Sequence, residues 1–190
     1  PPNGFVSGAQ SLVAQGARAI TTTCGFLTLH QAALARAVPV PVVTSALFQV
    51  AWVNRLLPPD RRAGILTIAA SALTRAHLDA AAVPADTPIG STEGGQEFSR
   101  AILGNEPDLD LAKARQDNID AALALQRSQP NLGAIVLECT NMTPYAPDIA
   151  RATGLPVYSI VTLVNWLHAA VQPPVYESRP SAPLSRDQRG

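Results

Sequence analysis

Ala17–Val43 reads ARAITTTCGFLTLHQAALARAVPVPVV, and Leu132–Ser159 reads LGAIVLECTNMTPYAPDIARATGLPVYS. Displaced by 115 residues, the two stretches align without a gap, and Cys24 falls on Cys139. The same register aligns further residues: Thr28 with Thr143, Ala35-Arg36-Ala37 with Ala150-Arg151-Ala152, and Pro41-Val42 with Pro156-Val157. Alanine matches mean little in an alanine-rich chain, but Cys, Thr, Arg and Pro in one register mean more. The sequence therefore predicts two copies of one supersecondary unit, related by pseudo-symmetry.

Each copy predicts a strand, a helix, a second strand and a second helix. The predicted strands are short, apolar and β-rich, which is typical of buried parallel strands: Ala19–Thr23, Pro41–Val43, Ala134–Glu138 and Pro156–Tyr158. Thr28 and Thr143 are expected to cap the first helices, with Pro144 at a first helical position. Those helices end near residues 37 and 152, and the second helices run through Trp52 and Trp166. Alternating strands and helices predict an α/β fold with two pseudo-symmetric lobes, whose parallel sheets are flanked by helices.

The segment between the copies predicts further elements of the same fold. They are a strand at Arg62–Ala69, a helix at Ser71–Ala82, a loop at Pro84–Gly95 and a helix at Asp110–Ser128. We expect residues 1–60 to form a first lobe that carries Cys24, and residues 61–171 a second lobe that carries Cys139, with the chain crossing between them. Residues 172–190 are rich in Pro, Ser and Arg, and are expected to be a disordered tail. By the symmetry of the repeat, the first lobe lacks an opening strand, and about 50 residues are expected to precede it.

Composition excludes several classes of function. The chain has 190 residues, 47% of them hydrophobic and 15% charged, with a formal net charge of +0. This neutral balance predicts neither a nucleic-acid partner nor a membrane partner. Two cysteines cannot form a disulfide-rich scaffold, so a reducing, cytoplasmic location is expected. The single lysine, Lys113, lies in a polar helical stretch, which disfavours a pyridoxal phosphate enzyme.

The two cysteines are the candidate catalytic residues. Each follows a predicted strand and precedes a predicted helix, where ligands bind in parallel α/β folds and where the helix dipole lowers a thiol pKa. Pseudo-symmetry can place Cys24 and Cys139 on opposite sides of one small molecule. One thiolate would then remove a proton from carbon while the opposite thiol supplies another. Two alternatives stay open, because a buried cysteine often only fills space in a core and an oxidised pair could form a disulfide.

These motifs resemble the aspartate/glutamate racemase superfamily. TTTCGFLT and LECTNMTPY, 115 residues apart in a duplicated α/β chain, carry the resemblance, which runs from about residue 16 to about residue 171. It implies cofactor-independent chemistry on a small-molecule carboxylate, with Cys24 and Cys139 as acid and base, and a homodimer. It also implies that Thr67, Thr140 and Asn141 bind substrate, together with Gly25 and Phe26.

Departures from the racemase pattern leave the substrate open. Glutamate racemases have Asn-Thr after the first cysteine, where this chain has Gly25 and Phe26, and His after the second Cys-Thr, where it has Asn141. A racemase that moves a proton next to a carboxylate is the expected function. The alternatives are a maleate-type cis–trans isomerase, an arylmalonate-type decarboxylase and a non-catalytic small-molecule-binding protein.

Other candidate residues are expected to be structural. Glu138 precedes Cys139 on a predicted strand, so its side chain is expected on the opposite face, as a buried structural partner. The three histidines have no metal-ligand spacing, so no metal site is expected. Trp52 and Trp166 are expected to pack between lobes or between subunits.

Overall fold

The computed structural model describes residues 3–176, and within them six strands form two parallel sheets. The strands are β1 (Ile20–Thr21), β2 (Val42–Val43), β3 (Arg62–Thr67), β4 (Ile89–Ser91), β5 (Leu132–Leu137) and β6 (Val157–Tyr158). One sheet pairs β1 with β2, and the other has the order β4-β3-β5-β6. Every pairing between these strands is parallel. The predicted α/β class and its parallel sheets are therefore confirmed.

Helices flank both sheets. They are α1 (Asn3–Ala14), α2 (Gln31–Ala37), α3 (Gln49–Leu56), α4 (Arg75–Ala80), α5 (Phe98–Leu103), α6 (Leu111–Ser128), α7 (Ala146–Thr153) and α8 (Ile160–Val171). Two short apolar strands, β3 and β5, lie side by side at the centre, and most of their residues are buried. Such apolar runs are buried because helices cover both faces of a parallel sheet.

The two repeat units fold alike. In each unit a strand leads through a 3-10 turn into a helix and then into a neighbouring parallel strand: β1, Gly25–His30, α2 and β2 in one, and β5, Thr140–Tyr145, α7 and β6 in the other. Gly154 ends α7 in the left-handed conformation at φ 69°, which a glycine adopts at little cost.

The expected helix caps are wrong. Thr28 and Thr143 lie inside the 3-10 turns, and their hydroxyl oxygens are buried without a hydrogen-bond partner among the described residues. Pro144 also lies inside its turn, and α7 begins after it, at Ala146. The chain therefore makes a tight extra turn between each cysteine and the following α-helix.

The last helix of each repeat unit packs on the sheet of the other. Val50 and Val53 of α3 pack in a buried cluster with Ile65 of β3 and Val136 of β5. Leu163 and Leu167 of α8 pack instead against Val43 of β2. The chain thus crosses between the two sheets twice, and the two tryptophans of α3 and α8 meet with ring centroids 4.7 Å apart.

Elsewhere the structure corrects the expected elements. The expected loop at residues 84–95 contains β4, which pairs with β3 at the edge of the larger sheet. The expected helix at residues 71–82 is shorter, and forms only α4. The helices α1 and α5 were not predicted: α1 contains two glycines, which disfavour a helix, and α5 has only six residues. Residues 177–190 of the expected tail lie outside the described residues, and residues 173–176 form neither helix nor strand.

Candidate active site

Both cysteines lie just beyond the carboxyl ends of parallel strands. Cys24 follows β1 and is the residue before the first 3-10 turn, and Cys139 follows β5 and precedes the equivalent turn. Both thiols are free, and Cys24 is exposed while Cys139 is partly buried. The extended backbone at each cysteine brings its thiol to the sheet edge where parallel α/β folds bind ligands.

One cavity of about 250 Å³ reaches both thiols. Its lining combines polar residues of the two cysteine turns with an apolar wall: Thr23, Cys24, Gly25, Phe26, Ile68, Ile102, Leu103, Glu138, Cys139, Thr140 and Asn141. This volume fits a small molecule of a few heavy atoms. The structure therefore brings the two predicted acid–base residues to the same cavity.

A hydrogen bond joins the two cysteine turns. The Thr140 hydroxyl donates to the carbonyl oxygen of Thr23 at 2.6 Å, and these residues flank Cys139 and Cys24 respectively. This bond spans residues far apart in the chain and fixes one turn relative to the other. Thr140 therefore contributes to the shape of the cavity as well as lining it.

Cys139 is a weak acid in this environment. Burial raises the pKa of its thiol from the usual value near 9.0 to about 11, although hydrogen bonds from the N–H groups of Asn141 and Met142 act to lower it. Negative charge on Glu138 or Cys24 raises the pKa further. The expectation that the following helix lowers the thiol pKa is therefore wrong for Cys139, because desolvation is the larger effect. At neutral pH this residue is a thiol, ready to donate a proton.

The aromatic side of the cavity is formed by Phe26. Its ring meets the ring of His77 edge to face, with centroids 5.1 Å apart. Ile68 and the α5 residues Ile102 and Leu103 complete the apolar lining. None of the residues that line the cavity is a lysine or an arginine, so a bound carboxylate would depend on neutral hydrogen-bond donors such as the Asn141 amide.

Thr67 lies below the cavity rather than in its wall. It is fully buried at the end of β3, and its hydroxyl donates to Oε2 of Glu138 at 2.7 Å. The predicted contact of Thr67 with the cleft is therefore indirect, because the carboxyl of Glu138 lies next to it. The threonine position is set by β3, which runs beside β5.

Glu138 is buried as expected, at 1% exposed, but its place next to the cavity was not predicted. It was expected on the face opposite Cys139, yet it belongs to the cavity lining. The strand β5 ends at Leu137, so the alternation of faces no longer applies at Glu138. A charged residue directly after a run of four apolar strand residues, Ala134–Leu137, was the available signal.

Gly25 allows the close approach of this acid. A Cβ atom at position 25 would lie 2.0 Å from Oε1 of Glu138 and 2.7 Å from its main-chain oxygen. No side chain fits there, because such distances are far below van der Waals contact. The Cys24 turn and the Glu138 carboxyl are therefore in direct contact.

The described part of the chain offers neither a cluster of metal ligands nor a membrane-spanning helix. No group of three or more His, Cys, Asp or Glu residues between positions 3 and 176 could hold a metal ion. None of the helices in that range is long and apolar enough to cross a membrane.

Sequence comparison finds lyases among curated proteins. No family model matches the chain. A dimethylsulfoniopropionate lyase from Durusdinium sp. clade D is 29% identical over 157 residues, which cover 80% of this chain and 52% of the lyase. Dimethylsulfoniopropionate lyase 5 from Emiliania huxleyi is 28% identical over 165 residues, covering 83% of this chain and 32% of the relative. The chain thus spans about half the length, or less, of these relatives.

Structural comparison finds racemases and a decarboxylase. Unliganded arylmalonate decarboxylase matches with a TM-score of 0.62 at 17% identity, over 94% of this chain and 78% of that one. Allantoin racemase from Pseudomonas fluorescens matches with a TM-score of 0.54 at 19% identity, over 74% and 57%. Glutamate racemase from Bacillus anthracis gives 0.52 at 16% identity, over 87% and 66%. The chain has the fold of these proteins, which is the fold that the resemblance implied.

Proposed function

We propose that this protein is a cofactor-independent enzyme that moves a proton at a carbon atom next to a carboxylate. Cys24 and Cys139 are its acid–base pair. The observation that carries the proposal is that one small cavity reaches both thiols, which come from equivalent places in the two repeat units. A pair of core cysteines would have no reason to lie at one ligand-sized cavity.

The two sulfur atoms differ in their surroundings, and the difference assigns their roles. Cys139 is partly buried, and its raised pKa keeps it protonated at neutral pH, so it donates a proton to carbon. Cys24 is exposed and lines the same cavity, and in this proposal it removes the proton from carbon. The carbanion formed between these steps is an enolate-like carboxylate. Hydrogen bonds from neutral donors in a partly dry cavity stabilise such a charge.

Substrate recognition in this proposal depends on the two cysteine turns. Asn141 and Thr140 contact the carboxylate from the Cys139 side, and Gly25 and Phe26 form the Cys24 side. Thr67 does not line the cavity, and it contacts the site through the hydrogen bond from its hydroxyl to Glu138. The apolar wall favours a substrate with a small apolar substituent on the reacting carbon, over a dicarboxylate that would need a basic partner.

A lyase reaction is the second candidate, favoured by the sequence similarity to dimethylsulfoniopropionate lyases. In that reaction the same base removes the proton next to the carboxylate. The carbon–sulfur bond then breaks, dimethyl sulfide leaves with the bonding electrons, and acrylate remains. Phe26 offers a ring face to the sulfonium cation. Racemisation and elimination thus share their first step and differ in whether the carbanion is reprotonated or loses a leaving group.

Proton exchange in D₂O, followed by NMR, tests the proposal. The panel contains amino acids, hydantoins, 2-aryl acids, arylmalonates, maleate and dimethylsulfoniopropionate, so that each product identifies its reaction. Racemisation that is lost in both Cys24→Ala and Cys139→Ala supports the two-thiol enzyme, and acrylate formation that is lost in Cys24→Ala supports the lyase reaction. Turnover that both variants retain would overturn it. Substrate binding without exchange or turnover would instead favour a non-catalytic binding protein.

A further inference from the structure

One buried acid has no part in the proton transfer just described. Glu138 lies between β5 and Cys139 and is almost completely buried. Thr67 donates a hydrogen bond to its Oε2, but Oε1 is buried without a hydrogen-bond partner among the described residues. No basic side chain belongs to the cavity lining, so nothing there would balance a charge on this group. Burying an unpaired carboxylate costs far more free energy than burying the neutral acid.

Thr67 holds one oxygen of the Glu138 carboxyl. The Thr67 hydroxyl donates to Oε2 at 2.7 Å and accepts from the N–H of Ala69 at 3.4 Å. Oε1, which faces Gly25, has no hydrogen-bond partner among the described residues. One accepted hydrogen bond is too little to stabilise a buried negative charge, which favours the neutral acid.

The same carboxyl group fills space that belongs to the Cys24 turn. A Cβ atom at position 25 would lie 2.0 Å from Oε1, so the acid occupies the volume of the missing side chain. Gly25 directly follows Cys24, and Glu138 directly precedes Cys139. The carboxyl thus lies between the two chain segments that hold the two thiols.

We propose that Glu138 is held as a neutral carboxylic acid and is the positioning residue of the two-thiol site, setting the Cys24 turn against the strand end that carries Cys139. The inference rests on the proposed function of the two cysteines. Its tests do not need a substrate, so the two can fail separately.

Neutrality matters because of the groups that face Glu138. The titratable ones are Cys24, on the 3-10 turn, and Cys139, on the same strand end, whereas β3 presents Thr67 and α5 presents apolar side chains. A charge on Glu138 would repel a thiolate formed on Cys139 when that thiol gives up its proton, since like charges raise a thiol pKa. The neutral acid supports the turn without this repulsion.

The difference between the infrared spectra of wild type and Glu138→Gln measures the protonation state of the Glu138 carboxyl directly. At neutral pH we expect the variant to lose the C=O band of a protonated carboxylic acid. Loss of carboxylate bands alone would overturn the inference. Glu93→Gln is the matched control: hydrogen bonds from Ser71 and Ser91 lower the pKa of exposed Glu93, so this change removes only carboxylate bands.

The rate of Cys139 alkylation at pH 7 separates a neutral Glu138 from a charged one. If Glu138 is neutral at that pH, Glu138→Gln removes no charge, and the rate stays within about twofold of wild type. If Glu138 is ionised, the rate rises about tenfold in the variant, because a like charge no longer raises the thiol pKa. A rise of that size would contradict the inference.

A mutant cycle tests the contact between Gly25 and Glu138. Gly25→Ala should displace the carboxyl and slow alkylation of Cys24 by about tenfold, because the turn moves. Adding Glu138→Ala should restore most of that rate, since the new methyl group takes the space of the removed carboxyl. Additive effects of the two changes would contradict the proposed contact. Should Gly25→Ala fail to fold, alkylation of Cys24 in Glu138→Ala alone tests the positioning role, and a rate equal to that of wild type would contradict it.

Discussion

At the scale of single residues, the two cysteines are equivalent in sequence but not in environment. The register of the repeat predicted that Cys24 and Cys139 occupy matching strand ends, and the structure places them at one cavity. Sequence could not predict the direction of the Cys139 pKa, because local hydrogen bonds lower it while burial by distant parts of the chain raises it. The position of Glu138 was missed for a related reason, since the end of β5 lies one residue before it.

Because the pKa of the Cys139 thiol is raised, the free energy of unfolding is expected to change with pH in the alkaline range. The folded state holds the thiol proton more tightly than the unfolded state, so this contribution is complete below pH 9 and is lost as pH rises to about 11. A shift of two pKa units corresponds to about 2 to 3 kcal/mol. We expect the stability of wild type relative to Cys139→Ser to fall by up to this amount over that range.

Urea unfolding at several pH values measures this difference. Cys24→Ser is a suitable comparison, because it keeps the Cys139 thiol, whose pKa is raised mainly by burial, and should retain most of the alkaline slope of wild type. An alkaline slope in Cys139→Ser as steep as in wild type would show that the Cys139 thiol does not titrate as described.

At the scale of elements, the structure differs from the prediction at the two 3-10 turns, where α-helices were expected to begin. The sequence indicated where strands, helices and cysteines follow one another, because apolar runs, Pro and Gly mark these changes. It could not distinguish an α-helix N-cap from a preceding 3-10 turn, since Thr suits both. It also missed β4, whose three residues are held by pairing with β3 rather than by an apolar pattern of their own.

The N-terminus of α5 depends on a carboxylate from another helix. Asp117 of α6 is buried and accepts hydrogen bonds from three successive backbone N–H groups, those of Gln96, Glu97 and Phe98. Because α5 supplies Ile102 and Leu103 to the cavity wall, we expect Asp117→Ala to destabilise the protein by about 2 to 4 kcal/mol and to loosen that wall.

Chemical denaturation of Asp117→Ala tests this role. The control is Asp120→Ala, one turn further along α6, where an exposed carboxylate accepts only from Gln116. That change should cost no more than about 0.5 kcal/mol. Equal destabilisation by the two substitutions would argue against the capping role of Asp117.

At the scale of the whole molecule, the exchanged helices join the two repeat units. Repeat symmetry predicted two similar units, but not that α3 and α8 each pack on the other unit's sheet. Which sheet a helix covers depends on the path of the chain in space, and an apolar stripe fits either sheet equally well.

Buried Gln49 holds the two exchanged segments together. Its amide donates to the carbonyl of Ser159 at 2.9 Å and accepts from the hydroxyl of Thr162 at 2.7 Å. We expect Gln49→Ala to lower the free energy of unfolding by about 2 to 3 kcal/mol, because it leaves buried polar groups unpaired. The emission of Trp52 and Trp166, which are in contact, reports on the same region.

Unfolding followed by tryptophan fluorescence and by circular dichroism measures this effect. Gln10→Ala, which removes an exposed amide, should leave the transition midpoint within the error of wild type. If Gln49→Ala were as stable as Gln10→Ala, the bridge between α3 and α8 would contribute little.

The most direct test of the central claim is a deuterium-exchange experiment on separate enantiomers of a racemised substrate in D₂O. Two thiols that face opposite sides of one carbon predict a split result. Each single variant, Cys24→Ser or Cys139→Ser, should lose racemisation by about 10²-fold or more yet retain exchange on the one enantiomer that its remaining thiol can reach. Exchange of both enantiomers by either variant alone would contradict the account, because one base would then serve both faces.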